Sequence, residues 1–221
     1  MRIAVRAVQG AFIEHDKKLE SLGVSCLELR KRTDLDNEFS GLILPGGEST
    51  VQGKLLRDLG MMNPLRERIQ NGLPVLATCA GLILLAEHLS NDENVWFGTL
   101  PVTVRRNAYG RQLGSFHTEA EFAGIGRVPM TFIRAPYIET VAPDVEILAT
   151  VKKADSETPS FLHSGDANPT LEQSTAAPHT ASLSQVIAVR SGRQIGLAFH
   201  PELNSDNRIH ERFLRDCRAS G

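Results

Sequence analysis

"LPVLATCAGLILLAEHL", residues 73–89, is the stretch that decides the fold. Its first apolar run, "PVLAT" (74–78), reads as a buried strand, and a second apolar run follows Gly81. Cys79 stands at the joint, flanked by the small residues Ala77, Ala80 and Gly81. A strand that turns sharply into a helix through small residues lifts one side chain above the carboxyl end of a sheet. The backbone N–H groups that follow then point at the same spot. A helix start also favours a thiolate, because its free N–H groups and dipole stabilise negative charge. An isolated cysteine among apolar residues also suits a small place in the core, so this stretch alone leaves both readings open.

The flanking sequence says what kind of sheet the strand belongs to. "RIAVRAV" (2–8) and "VSCLEL" (24–29) are strand-like. Between them, "FIEHDKKLESLG" (12–23) sets Phe12, His15, Leu19 and Leu22 near one helical face and stops at Gly23. "GLILP" (41–45) is a third strand, which "GGEST" turns into a helix through Leu55 and Leu56. "PLRERIQNG" closes another helix at Gly72, just ahead of "PVLAT". Short apolar strands alternating with helices predict a parallel sheet covered on both faces.

After Trp96 the pattern changes. "VTVRR" (102–106), "TFIRA" (131–135) and "VEILATV" (145–151) look like strands with few helices between them, which predicts a mixed or antiparallel extension. "VIAVRSGRQIGLAFHPE" (186–202) reads as a hairpin turning at Ser191 and Gly192. Residues 207–217 make a helix with Ile209, Phe213, Leu214 and Cys217 on its apolar face. Residues 152–184 are rich in Ser, Thr, Ala, Pro and Asp and lack periodicity. They read as a long mobile surface loop inserted in a single domain of residues 1–221, with His163 and His179 as solvated side chains.

Composition excludes several classes. Lys and Arg number 24 against 26 Asp and Glu, so the net charge of −2 offers no basic field for nucleic acid and no polybasic run for a membrane surface. The quoted stretch is the longest mostly apolar one, and it is too short to span a bilayer. "MRIAVRAVQG" reads as a first strand rather than a signal peptide. Cys26, Cys79 and Cys217 are odd in number and far apart, which fits neither a disulfide framework nor a zinc site. A reducing, cytoplasmic setting is expected.

A thiol nucleophile needs a base, and the base needs an orienting acceptor. His200, in "GLAFHPE", sits at the end of the last predicted strand, where Pro201 stops ladder pairing. Glu202 is placed to accept its ring N–H and fix the tautomer. The same His-Pro-Glu also suits a capped strand end. Gly46 and Gly47 follow a strand and precede a helix, so their turn can present N–H groups to an anion, whether phosphate or a tetrahedral oxyanion. The turn lacks the lysine of a P-loop and the spacing of a dinucleotide fingerprint, and an oxyanion suits the cysteine better. The peptide between the two glycines can present either its C=O or its N–H, and only the N–H completes such a hole.

"PGGEST" (45–50), "TCAGLILLA" (78–86), "RNAYGRQ" (106–112), "FIRAPYIE" (132–139) and "FHPEL" (199–203) together resemble the class I, triad-type glutamine amidotransferases. Within them they resemble the glutaminase subunits of pyridoxal 5'-phosphate synthase. The likeness runs in order from "VQGAFIEH" (8–15) to His200. It implies a flavodoxin-like three-layer α/β/α fold and hydrolysis of L-glutamine to glutamate and ammonia. By it Cys79 is the nucleophile, His200 the general base and acid, and Glu202 the residue that orients His200. Gly47 and Ala80 N–H groups form the oxyanion hole, and Gly47, Glu48, Ser49, Arg106, Ile133 and Arg134 hold glutamine. The implied partner is a (β/α)₈-barrel lyase subunit in a large hetero-oligomer, with no metal, no cofactor, no nucleic acid and no membrane. Charge agrees in part: the α-carboxylate of free glutamine calls for a cation such as Arg106 or Arg134, and Glu48 suits its ammonium. Ala77 departs from the glycine usual two places before the nucleophile.

Overall fold

The computed structural model describes residues 1–106, 115–152 and 184–219. The expected loop at 152–184 therefore falls outside the described residues from 153 to 183, as does "RNAYGRQ" beyond Arg106.

In chain order the elements are β1 Arg2–Arg6, α1 Phe12–Ser21, β2 Ser25–Leu29, β3 Gly41–Leu44, α2 Ser49–Asp58, α3 Met62–Gln70, β4 Val75–Thr78 and α4 Ala80–Leu85. There follow β5 Ala86–Leu89, β6 Leu100–Arg105, β7 Ser115–Phe122, β8 Gly126–Ile133, β9 Tyr137–Val141, β10 Glu146–Lys152, β11 Ser184–Ser191, β12 Gln194–Leu197 and α5 Arg208–Arg218. Single turns of 3₁₀ helix occupy Arg32–Asp36 and Pro201–Leu203.

Seven strands form the main sheet in the order β10-β11-β12-β4-β3-β1-β2. The five from β12 to β2 are mutually parallel, while β11 runs antiparallel to both its neighbours. Every residue of β3 and β4 is buried, as strands covered on both faces must be. Alternation along β3 identifies the two covers. Gly41 faces Phe213 and Cys217 of α5, whereas Leu44 packs against Gly81 of α4. Helix α1 joins α5 on the first face through the His15 and His210 rings, and α2 and α3 join α4 on the second. This is the expected three-layer α/β/α arrangement with a mostly parallel sheet and an antiparallel extension.

The extension is larger than the sequence pattern shows. A three-stranded sheet, β5-β6-β9, and the β7-β8 hairpin accompany the main sheet. The second apolar run of the opening stretch does not continue as one helix. It divides after Leu85, because α4 is only six residues long and residues 86–89 pair with β6 as β5. Strands β7 and β9 escaped the pattern because they alternate half-exposed and polar positions. The hairpin of β11 and β12 turns where expected, pairing Ser191 with Gln194.

Gly41 sets the distance between β3 and α5. A Cβ there would lie 2.4 Å from Cys217 Sγ and 2.9 Å from Phe213 Cζ. Gly41→Ala is therefore expected to destabilise the fold by about 1–3 kcal/mol, as overpacked cores do. Urea unfolding checks this, and an unchanged midpoint would mean that α5 yields freely.

Candidate active site

Cys79 is where the parallel sheet places it, just past the end of β4. Its amide donates to the Leu197 carbonyl at 2.8 Å, which ties the joint to β12, and α4 begins at the next residue. The backbone there has φ 49 and ψ −99, a conformation that L residues seldom adopt. Only Cys79 and Arg134 have positive φ among described non-glycine residues. The thiol is 7% exposed, and Ala80 offers the first N–H of α4 beside it. Ala77 is fully buried and faces the α4 side with its partners Leu44 and Gly196, and Leu82 and Leu100 fill the space that a Gly196 side chain would take.

His200 arrives from the hairpin. Its amide donates to the Thr131 carbonyl at 2.8 Å, and its Nδ1–H donates to Glu202 Oε1 at 2.7 Å. The Glu202 side chain is fully buried. Burial alone would depress the His200 pKa, but the Cys79 side chain and Glu202 outweigh it and raise the value to about 10. An imidazolium is thus the stable form at neutral pH, the partner that a thiolate needs. Burial would likewise raise Glu202, yet nearby His15 and the His200 hydrogen bond hold it below the ordinary carboxylate range. The thiols of Cys26 and Cys217 are pushed up to about 12 by burial and stay protonated.

The glycine turn closes over the imidazole. A Cβ on Gly46 would lie 2.3 Å from His200 Cε1, so only glycine fits there. The Gly46 amide donates to Thr78 Oγ1 at 3.0 Å, and its carbonyl accepts from Ala11 N at 3.1 Å and Gln52 Nε2 at 3.2 Å. Because the peptide is trans, the Gly47 N–H points opposite to that carbonyl. Gln9 fastens the next residue, with Oε1 accepting from Glu48 N at 3.0 Å.

A cavity of about 350 Å³ lies against Cys79 and His200. Its walls include Gly47, Glu48, Ser49, Arg106, Ile133 and Arg134, so the expected substrate-holding residues are brought together. Ile133 presents its carbonyl oxygen 3.9 Å from Cys79 Sγ. Glu48 caps α2, accepting from Thr50 N at 3.1 Å and Val51 N at 2.8 Å. Arg106 bridges Glu48 Oε1, at 3.1 Å, and Asp92. Arg134 is exposed, and among the described residues it forms no ion pair. A larger concavity of about 1010 Å³ opens at the opposite end of the sheet, near Arg2, Ser40 and Pro74. The chemistry belongs to the smaller one, which lies outside the carboxyl ends of the parallel strands.

Sequence reasoning missed Gln9, Gln52, Thr78 and His15, which hold the turn and the acid from behind. Gln52 and His15 are fully buried on helix faces that also bury Leu56 and Leu19, and a polar residue in such a stripe was the signal available.

Comparison with known proteins follows the same lines. The family model described as the SNO glutamine amidotransferase family matches residues 5–219. The chain is 59% identical to "Pyridoxal 5'-phosphate synthase subunit PdxT" of Desulfitobacterium hafniense (strain DSM 10664 / DCB-2), over 97% of this chain and 92% of that protein. It is 46% identical to the protein of the same name from Streptococcus pneumoniae (strain CGSP14), over 99% and 98%. A crystal structure of a glutamine amidotransferase superposes with TM-score 0.79 at 35% identity, covering 98% of each chain. A glutamine amidotransferase from Thermotoga maritima shares the fold, with TM-score 0.54 at 15% identity over 99% of this chain and 84% of that one.

The raised His200 pKa gives a direct test. With a folded value near 10, the imidazolium should persist through pH 6–8.5 in an NMR titration of the His200 ring. Cys79→Ala removes one of the groups that raise it, so the midpoint should fall. A wild-type midpoint near the ordinary imidazole value of 6.5 would contradict the pairing.

Proposed function

Because the chain belongs to the SNO glutamine amidotransferase family, we propose that it is the glutaminase subunit of a pyridoxal 5'-phosphate synthase. The observation that carries this is Cys79 on its elbow together with His200 at one small cavity, the imidazole backed by Glu202. The reaction is hydrolysis of L-glutamine to L-glutamate and ammonia. The ammonia goes to a partner synthase subunit, which we read as a (β/α)₈-barrel lyase in a large hetero-oligomer. The apolar core running from Ile3 to Cys217 supports a single domain over residues 1–221. No described helix is long and apolar enough to cross a membrane. Three free cysteines are consistent with a cytoplasmic setting.

Each residue has a chemical task. Cys79 sulfur attacks the side-chain amide carbon of glutamine, and the carbonyl oxygen becomes an oxyanion between the Gly47 and Ala80 N–H groups. As the C–N bond breaks, the His200 imidazolium gives its proton to the departing nitrogen, leaving a glutamyl thioester. His200, now neutral, takes a proton from water, whose oxygen attacks the thioester. Collapse releases glutamate and restores the thiolate and imidazolium. Glu202 keeps the proton of Nδ1 in place throughout, so Nε2 is the nitrogen that exchanges it.

The substrate's charged end meets the rim. Arg134, free of any ion pair among the described residues, takes the α-carboxylate. The Glu48–Arg106 pair completes the pocket, with the carboxylate toward the ammonium. Burial would raise the Glu48 pKa, but the Val51 and Thr50 amides and Arg106 hold it low, so it is an anion at neutral pH.

Glutamate release by the chain together with its synthase partner is the primary assay. Cys79→Ala should abolish it, and equal rates from wild type and Cys79→Ala would overturn the proposal. His200→Asn should lower kcat by about 10²–10⁴-fold, with Glu202→Gln costing less because the base survives in a poorer tautomer. Arg134→Ala should raise KM for glutamine by about ten- to a hundred-fold, the loss of charge-assisted hydrogen bonds, with kcat less affected. An unchanged KM would remove Arg134 from the substrate's contacts.

A further inference from the structure

Once the triad and the glycine turn have their tasks, one oxygen of the triad acid and the buried ring facing it remain. Glu202 Oε1 accepts from His200, but Oε2 is sealed from solvent without a hydrogen bond of ordinary length. The group facing it is His15 Nε2, at 3.4 Å. His15 lies on the inner face of α1 and is wholly buried. The same Nε2 is 3.3 Å from Thr78 Oγ1, the atom that accepts the Gly46 amide. On its other side, Nδ1 is 3.1 Å from His210 Nε2 on α5. One ring therefore backs both the triad acid and the turn that carries the Gly47 N–H.

The protons can be placed by elimination. Burial is the largest influence on both rings, holding His15 below its ordinary pKa and His210 down at about 3. Both are neutral, so each has one N–H and one lone pair. A proton on His15 Nδ1 would turn the Nε2 lone pair toward a buried carboxylate oxygen. It would also force the His210 proton onto Nδ1, which has no partner. A proton on His15 Nε2 removes both faults. Then His15 donates toward Glu202 Oε2 and Thr78 Oγ1, His210 Nε2–H donates to His15 Nδ1, and only a His210 lone pair is left over.

We propose that His15 is a positioning residue whose Nε2–H holds the outer oxygen of Glu202 and, through Thr78, the Gly46 amide. The triad acid and the glycine turn are thereby set by one buried ring. The charged and titratable groups around it are Glu202 from the last 3₁₀ turn, His200, His210 from α5, and Glu14 on α1 itself. Lys18, one turn along α1, is fastened to Asn207 Oδ1 at 2.8 Å, attracts Glu202 and disfavours a proton on His210. The proposal rests on the glutaminase reading for its kinetic consequence but not for its structural one.

The test uses two variants of the full chain. His15→Met keeps bulk and removes the donor, whereas His15→Gln can return an N–H to the place of Nε2. In the assay with the synthase partner, His15→Met should lower kcat by about ten- to a hundred-fold, the scale of one hydrogen bond to a buried charge, with little change in KM. His15→Gln should recover much of that loss. Independently of any activity, the His200 NMR midpoint of the free chain should fall in His15→Met, where Glu202 is less well held, and recover in His15→Gln. If wild type hydrolyses no glutamine but the midpoints behave so, the functional reading fails and the positioning role stands. Equal losses in both variants with an unmoved His200 midpoint would reduce His15 to a space-filling role and overturn the proposal. Wild-type kinetics and midpoint in His15→Met, or failure of both variants to fold, would also overturn it.

Discussion

The backbone of Cys79, held at φ 49 and ψ −99, is the constraint on which the site depends. Such a conformation costs a non-glycine residue about 1–3 kcal/mol and persists only where surrounding structure over-determines it. Here that structure is the parallel sheet. The Cys79 amide is bonded to the Leu197 carbonyl, β4 is paired on both edges, and α4 starts at the next residue against Leu44. A relaxed Cys79 would point its sulfur elsewhere and move the Ala80 N–H with it. The strain and the placement of the thiol are one feature.

The second demand is electrostatic. Glu202 is an anion in a buried place, and burial alone would push its pKa up. His200 on one oxygen and His15 facing the other keep it ionised, and Glu202 in turn helps to keep His200 protonated beside Cys79. The order matters: a neutral Glu202 would release His200 to its desolvated, neutral form and remove the cation beside Cys79. The neutral rings of His15 and His210 form the back wall of this arrangement.

The parallel half of the fold was legible because its strands are covered on both faces and so read as unbroken apolar runs. "GLIL" and "VLAT" became β3 and β4 almost residue for residue. Cys79, His200 and Glu202 were legible for a different reason: each stands at an element's end beside a turn-forming neighbour. Strands β7 and β9 were not, because half-exposed sheets mix polar and apolar positions. The short α4 was hidden by β5 continuing its apolar run. His15, Thr78, Gln9 and Gln52 act through contacts between residues far apart in the chain, as with His15 and His210, 195 positions apart. Periodicity cannot show such pairings, although a histidine in the stripe of Phe12, Leu19 and Leu22 was already out of place there.

The central claim is that Cys79 alone carries the acyl group. Quenching the chain with acid during turnover of glutamine in the presence of its synthase partner, then mapping the peptides by mass spectrometry, tests it most directly. The account predicts a glutamyl adduct on the peptide containing Cys79, accumulating further in variants that slow attack by water. Sustained glutamate production with no adduct at Cys79, or an adduct at Cys26 or Cys217, would contradict it.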